Sequence, residues 1–456
     1  MHAGDVDGMM TTRGTRGGGD DDGNDGDRRD SNVSGKKNEG KETVGVETTT
    51  YGACGVEVRR GEYRVDGNDD GDDDDDGNEG WRRADAYEDE DDGVEKRQVK
   101  LALVAEYEMD ALSGTRVGGV RAYACVRRRG GRREGDSGEV EAGSTANTTM
   151  EFIEAGSIGR GTTRMETIGA IFECRWSARA GDGARCAFAG ADGYVTLASL
   201  REEFVPRKKD VDSRESGISK KTQTPSVTFQ ELSRAYCGGE GLGMATCLDW
   251  RSDGALVVSA ADGSFRVAKE DVSAIEIVTT IERAHDLEMW AVAFDPWREG
   301  VVYTGADDCA FKAWDVRADG ASGAQMVNRK THGAGVTCVA PAPRNEHVVA
   351  TGSYDDHVRL WDVRKITAPL SELNVGGGAW RCRWHPTRDA LACAAMGGGA
   401  VLIDVESASG TLSKAYVYDA HESIVYGADW VSFESDGDDA VVSCSFYDKS
   451  VRCWNV

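Results

Sequence analysis

GSYDDHVRLWDVRK, residues 352–365, sets an acidic turn six positions ahead of a tryptophan that closes a short apolar run. The same spacing recurs as Asp192 to Ala198, Asp262 to Ala268, Asp308 to Trp314 and Asp448 to Trp454, with a degenerate copy from Gly397 to Ile403. Between the two ends lie alternating or apolar stretches with β-branched members, such as SFRVA and SVRCWNV, which is the pattern of a strand. A second column sits upstream, near the end of another strand: Trp176, Trp250, Phe294, Trp384 and Trp430, with Ala340 in the same place. A third is a histidine ahead of that strand, at His285, His332 and His421.

Successive units lie about 42 to 51 residues apart once one insertion is set aside, close to the ~40–45 residues of a four-stranded propeller blade. The expected fold is all-β, a seven-bladed WD-repeat β-propeller over residues 41–456, although six or eight blades also fit the spacing. Six blades fall near 166–200, 240–269, 284–317, 331–364, 376–406 and 420–456. A weaker one is built from TTTYGACGVEVRR, VKLALVAEY and VGGVRAYACV. The stretch 66–98 reads as an acidic loop inside that blade, and 201–230 as a polar insertion between the second and third blades. Because the chain ends on a strand, residues 41–50 are placed to supply the outer strand of the last blade, a closure that leaves no open sheet edge.

The formal net charge is −26, and residues 1–97 hold 29 acidic against 14 basic side chains. Runs such as GGGDDDGNDGDRRD have too little apolar content to offset chain entropy, so residues 1–40 are expected to form a disordered acidic tail. This balance repels nucleic acid and suits a basic protein partner. No segment has the ~20 apolar residues that span a bilayer, and the N-terminus lacks the apolar core of a secretion signal. The twelve cysteines form no C-x-x-C pair. Several recur at one position of an apolar strand, as small hydrophobes do, which points to a reducing, cytoplasmic setting. No metal-binding motif is present.

Three stretches depart from an ordinary repeat: LEMWAVAFDPWREGVVYTGADDCAFKAWDVR (287–317), ATGSYDDHVRLWDVRKITAPL (350–370), and GGGAWRCRWHP (376–386) with SIVYGADW (423–430). Together they resemble the diphthine methylesterase family, also catalogued as diphthine methyltransferases, of diphthamide biosynthesis. The resemblance is strongest over 284–430. It implies a carboxylic ester hydrolase that needs no cofactor and acts on elongation factor 2 that carries methylated diphthine; a monomer is expected because propellers are commonly monomeric scaffolds.

The strand order of a blade places residues before the inner strand and after the second strand on one rim. That rim collects Glu288, Trp290, Trp380, Arg381 and Tyr426 around the channel mouth, with Tyr354, Asp356 and His357 beside them. Trp290, Tyr354, Trp380 and Tyr426 are candidates to enclose the trimethylammonium group of the substrate that the resemblance implies, through cation–π attraction. Packing between blades explains the same aromatics equally well. His285, His332 and His421 are in step with Asp308/Trp314, Asp355/Trp361 and Asp448/Trp454, and read as structural hydrogen-bond networks joined by Thr304 and Thr351. His357 is left over. It is the candidate base, with water or Ser353 as nucleophile and Arg381 or the backbone of glycines 376–378 as oxyanion stabiliser. A competing expectation is a non-catalytic adaptor, because WDVR at Trp314–Arg317 and Trp361–Arg364 resembles a box that docks onto cullin-type ubiquitin ligases.

Overall fold

A computed structural model describes residues 43–49, 52–59, 63–65, 82–83, 97–109, 116–129, 148–159, 169–178, 184–206, 223–240, 243–271, 274–317, 323–406, 409–433 and 439–456. The expected tail 1–40 and most of the acidic stretch 66–98 lie outside these residues. The described strands form seven antiparallel sheets. Blade one comprises Gly52–Val58, Arg97–Met109, Arg116–Arg129 and Thr148–Gly159, and its second strand also pairs with Tyr63–Val65. Blade seven comprises Val425–Val431, Ala440–Ser445 and Ser450–Asn455, and its outer strand is Thr43–Thr48, paired antiparallel to Ser450–Asn455. The ring therefore closes by joining an early strand to the last one.

The Asp column owes its spacing to a turn. In each of five blades the Asp carboxylate accepts the backbone N–H two residues on: Tyr194 on Asp192, Ser264 on Asp262, Ala310 on Asp308, His357 on Asp355 and Ser450 on Asp448. The residue between adopts the left-handed conformation, as Gly193, Gly263, Cys309, Asp356 or Lys449, and a side-chain Asx turn stabilises that geometry. In four of these blades the second carboxylate oxygen accepts an N–H from the loop entering the inner strand, at Glu240, Asp286, Gly333 and Glu422. One aspartate thus staples the turn to its own blade.

The aromatic column links neighbouring blades. Trp176, Trp384 and Trp430 donate their indole N–H to backbone carbonyls of the preceding inner strand, at Glu57, Ala340 and Arg383. Eleven of the twelve cysteines are buried, all but Cys309.

The fourth strand of the blades is invisible in the repeat unit, as with Ala274–Ile281, whose outer-edge residues are mostly exposed and carry no apolar alternation. The stretch 201–230, expected as a polar insertion between the second and third blades, belongs in part to blade two, and its residues 207–222 lie outside the described residues. Residues 201–206 and 223–230 lengthen the third and fourth strands of blade two, Tyr194–Pro206 and Gln223–Tyr236, which pair along their whole length. Val227 is buried and Phe229 packs against the same core, but single apolar residues among charged and polar neighbours leave no run that a hydrophobicity pattern would catch.

Candidate functional site at the channel mouth

The rim aromatics meet around Trp380. Its ring centroid lies 5.7 Å from Trp290, 5.7 Å from Tyr354 and 5.4 Å from Tyr426. The chain of contacts continues through Phe446, Tyr107 and Phe172 back to Trp290, at 5.7, 6.0, 5.1 and 6.2 Å. Six rings from five blades thus form a closed circuit. Trp290, Trp380 and Tyr426 are buried and Tyr354 is half-buried, so the circuit packs the blades together as well as lining the mouth. Tyr107 and Phe172 escape the sequence reading because each occupies an ordinary strand position, and Phe446 because it lies in the bend just after the strand Ala440–Ser445. The indole N–H of Trp380 has no acceptor among the described residues.

Asp307 is a second residue the sequence did not single out. It follows the second strand of blade four, Val301–Ala306, and faces the Trp290 indole. Burial raises its pKa, and the neighbouring carboxylates of Glu288 and Asp308 raise it further. Neither Lys nor Arg pairs with it among the described residues. Its carboxylate leans over Gly335, at a place a Cβ would occupy, so the glycine makes room for it.

His357 opens the third strand of blade five, His357–Asp362. Its Nδ1–H donates to the Asp355 carbonyl at 2.6 Å, which leaves Nε2 as the open ring nitrogen. His357 pairs with Asn374, and the Val375 N–H donates to the Asp356 carbonyl at 2.8 Å. The glycine turn 376–378 therefore begins directly beside the histidine. The N–H groups of Gly377 and Gly378 donate to no other described residue, and Gly378 packs against Tyr354. Asp356 is the left-handed turn residue (φ 67°), which accounts for its place without a ligand.

Two expected catalytic residues are not at the rim. Ser353 is fully buried, and its Oγ donates to the Ala334 carbonyl at 3.1 Å while accepting the Asp355 N–H at 3.2 Å. It is a turn residue without access to an ester. Arg381 lies beneath Trp380, with its guanidinium 4.7 Å from the ring centroid. Nε donates to Glu173 at 2.8 Å and Nη1 to the carbonyls of Thr337 and Trp380 at 2.8 and 3.1 Å. A second ion pair joins Arg383 to the same carboxylate at 2.8 Å. Inner-strand alternation turns Arg381 toward the channel rather than the mouth.

The histidine networks differ from blade to blade. His285 is complete: Nδ1–H donates to Asp308 at 2.8 Å, Nε2 accepts the Thr304 hydroxyl at 2.8 Å, and the Trp314 indole donates to Thr304 at 2.9 Å. His421 joins Ser443, Ser450 and Trp454, with Asp448 3.4 Å away. His332 departs from expectation. Thr351 and Trp361 complete one side of it, but Asp355 is bound by Arg359 at 2.9 Å, and His332 Nδ1 has no partner among the described residues. Arg359 out-competes a neutral imidazole for the carboxylate because its bond carries charge on both sides.

The WDVR boxes present exposed Arg317 and Arg364, each forked onto the aspartate of its own box, Asp315 and Asp362. Among the described residues no group of three or more His, Cys, Asp or Glu is placed to hold a metal ion, and no helix is long and apolar enough to cross a membrane.

Fold and repeat define the chain as a seven-bladed WD-repeat propeller, and residues 324–362 and 412–455 match the family model of the WD domain, G-beta repeat. The chain is 34% identical over 258 residues to the diphthine methyltransferase homolog of Dictyostelium discoideum, covering 52% of this chain and 67% of that protein. It is 42% identical over 151 residues to diphthine methyltransferase of Mus musculus and 40% over 152 residues to that of Homo sapiens. Those two matches take in 32% of this chain each, and 31% and 33% of the mouse and human proteins. The chain belongs to the diphthine methyltransferase family.

Proposed function

We propose that this chain acts in diphthamide biosynthesis as a cytoplasmic carboxylic ester hydrolase. It removes the methyl ester of methylated diphthine on elongation factor 2 and releases diphthine and methanol. The observation that carries this reading is the mouth itself, where aromatic faces around Trp380 meet the carboxylate of Asp307, which has no Lys or Arg partner among the described residues, in a protein whose relatives are named for diphthine. A quaternary ammonium is attracted to both kinds of group, by about 0.5–2 kcal/mol per aromatic face.

In this reading water attacks the ester carbonyl and His357 Nε2 takes its proton, with Nδ1–H held by Asp355. The carbonyl oxygen, now an oxyanion, accepts from the N–H groups of Gly377 and Gly378. The tetrahedral centre collapses, the C–O bond to the methoxy group breaks, and the proton on His357 passes to the departing oxygen to give methanol.

Purified chain incubated with methylated elongation factor 2 is expected to release methanol without S-adenosylmethionine. Methyl incorporation that depends on S-adenosylmethionine would instead mark a transferase. His357→Ala is expected to slow methanol release about 100-fold, the low end of general-base effects, and full turnover would remove His357 from the mechanism.

The cation subsite has its own prediction. Trp380→Ala should weaken binding of a trimethylammonium peptide about tenfold, within the cation–π range. Asp307→Asn should weaken it several-fold while leaving a neutral tert-butyl analogue unaffected. Equal affinity of both variants for the cationic peptide would reduce the aromatic circuit to inter-blade packing. Nothing in the self-paired WDVR arginines favours the adaptor reading.

A further inference from the structure

In blade six the rim loses its side chains. Where five other blades carry the turn aspartate, this one has Gly397, within the glycine run 397–399 that joins Ala390–Ala394 to Ala400–Glu406. The loop entering its inner strand carries the other glycine run, 376–378. The two runs lie against each other: a Cβ on Gly377 would strike the Ala395 carbonyl, and one on Gly398 the Val375 carbonyl. With no aspartate to hold it, the turn takes another shape, in which Met396 and Gly399 are left-handed. The result is a saddle of bare main chain beside Trp380.

Its banks are acidic. Asp356 borders one side, where its carbonyl accepts the Val375 N–H, and Asp419 borders the other, next to Gly399. Glu422 follows in the same loop, and both Asp419 and Glu422 are exposed. None of the three carboxylates has a Lys or Arg partner among the described residues.

Two observations point past the fold to a ligand. A Cβ on Gly397 would meet nothing within 4 Å, and its φ is not left-handed, so neither packing nor backbone requires a glycine there. The indole N–H of Trp380, only 6% exposed, has no acceptor among the described residues, although buried donors are ordinarily satisfied. The Gly397 N–H also donates to no described residue. A polypeptide laid along the saddle supplies carbonyl acceptors to both, and its backbone needs the space that a side chain at 397 would take.

We propose that the saddle of blade six seats the polypeptide that carries the esterified residue, a basic segment whose main chain crosses Gly397 between Asp356 and Asp419. The proposal rests on the ester reading above. The modified side chain reaches from the saddle to the aromatic faces around Trp380, while basic neighbours in the segment meet Asp356, Asp419 and Glu422. A small free ester uses the mouth but not the saddle, so blade six sets the preference for a protein substrate.

Binding and methanol release are measured separately, with the full chain and methylated elongation factor 2. Gly397→Gln adds a polar side chain where space is open, so its Tm should match that of the unaltered chain. Its Kd and KM for the protein should rise about tenfold through the clash. Asp419→Lys and Glu422→Lys should each raise Kd about threefold at low salt, a difference that closes at high salt. Gly397→Gln with unaltered Tm and affinity, or charge reversals without effect at low salt, would overturn the seat. Should Gly397→Gln melt lower, the two charge reversals decide. An unaltered chain that binds the protein but releases no methanol sinks the ester reading, and the variants' affinities still judge the seat. One that hydrolyses a short trimethylammonium methyl ester but binds no protein sinks the seat alone.

Discussion

Glu173→Gln is expected to destabilise the propeller by about 3–5 kcal/mol, the cost typical of breaking a buried ion pair by removing one partner. The carboxylate is buried in the channel and gives each oxygen to a different arginine of blade six. Burial alone would raise its pKa, but the guanidinium groups of Arg175, Arg381 and Arg383 outweigh burial and hold it at about 2. Glutamine keeps the shape but supplies one neutral acceptor to two cations. The pair bridges blade two to blade six across the axis, so its loss is felt by the ring as a whole. Urea unfolding at pH 7 measures the effect. The sign with pH follows from the depressed value: the contribution is present above the unfolded pKa near 4.5 and is lost as pH falls toward 2. A loss under 1 kcal/mol would show that the channel readily admits water to the freed arginines. Replacing Glu173 and Arg381 together by Met should recover part of the deficit, since an apolar pair of similar volume leaves fewer buried charges unpaired.

Acidification from pH 7 to pH 4 is expected to remove about 3 kcal/mol of stability, using 1.36 kcal/mol per pKa unit. His332 and His421 are the main cause, and His285, whose pKa burial also lowers, adds to the loss. Burial depresses His332 and His421 to about 4, helped at His332 by the charge of Arg359 and at His421 by that of Arg452. An unfolded histidine takes its proton near 6.5, so the unfolded state binds protons first and each group's contribution is lost between about 6.5 and 4. Glu57 works the other way. Burial lifts it to about 7, so the folded state takes up its proton before the unfolded one and gains stability as pH falls toward 4.5. Three histidines against one glutamate leave the net loss. Glu57→Gln removes the opposing group and should make the drop about twice as large by the same linkage. Urea midpoints at pH 7, 6, 5 and 4 give the curve, and a flat curve for Glu57→Gln would show that these imidazoles are reached by water.

The repeat was legible because its residues answer to local physics. An aspartate, a left-handed residue and a strand form one Asx turn within a few positions, and five blades repeat it. The tryptophan column was legible for the same reason, and Trp176, Trp384 and Trp430 each tie to the preceding blade. Outer strands and the long hairpin of blade two were not, because residues that face water on an edge carry no apolar period. His357 was picked out as the residue the networks did not need, and strand register gives the contact with the glycine turn that the sequence put on the same rim. Ser353 and Arg381 were misplaced because sequence order gives a residue's blade and strand but not which way its side chain turns.

Sequence by itself determined the class of fold, through spacing repeated along the chain, and the strand order of a blade then set Trp290, Tyr354, Trp380 and Tyr426 at one rim and an early strand at the ring's closure. Tertiary structure alone decided which charges meet in the channel. Glu173 and Arg381 are 208 residues apart, and Asp307 stands beside the Trp290 indole with no Lys or Arg partner among the described residues, although a sequence this rich in charge gives no hint of either. Pairing of buried charge depends on distances across the axis, and those are set only when seven blades close on one another.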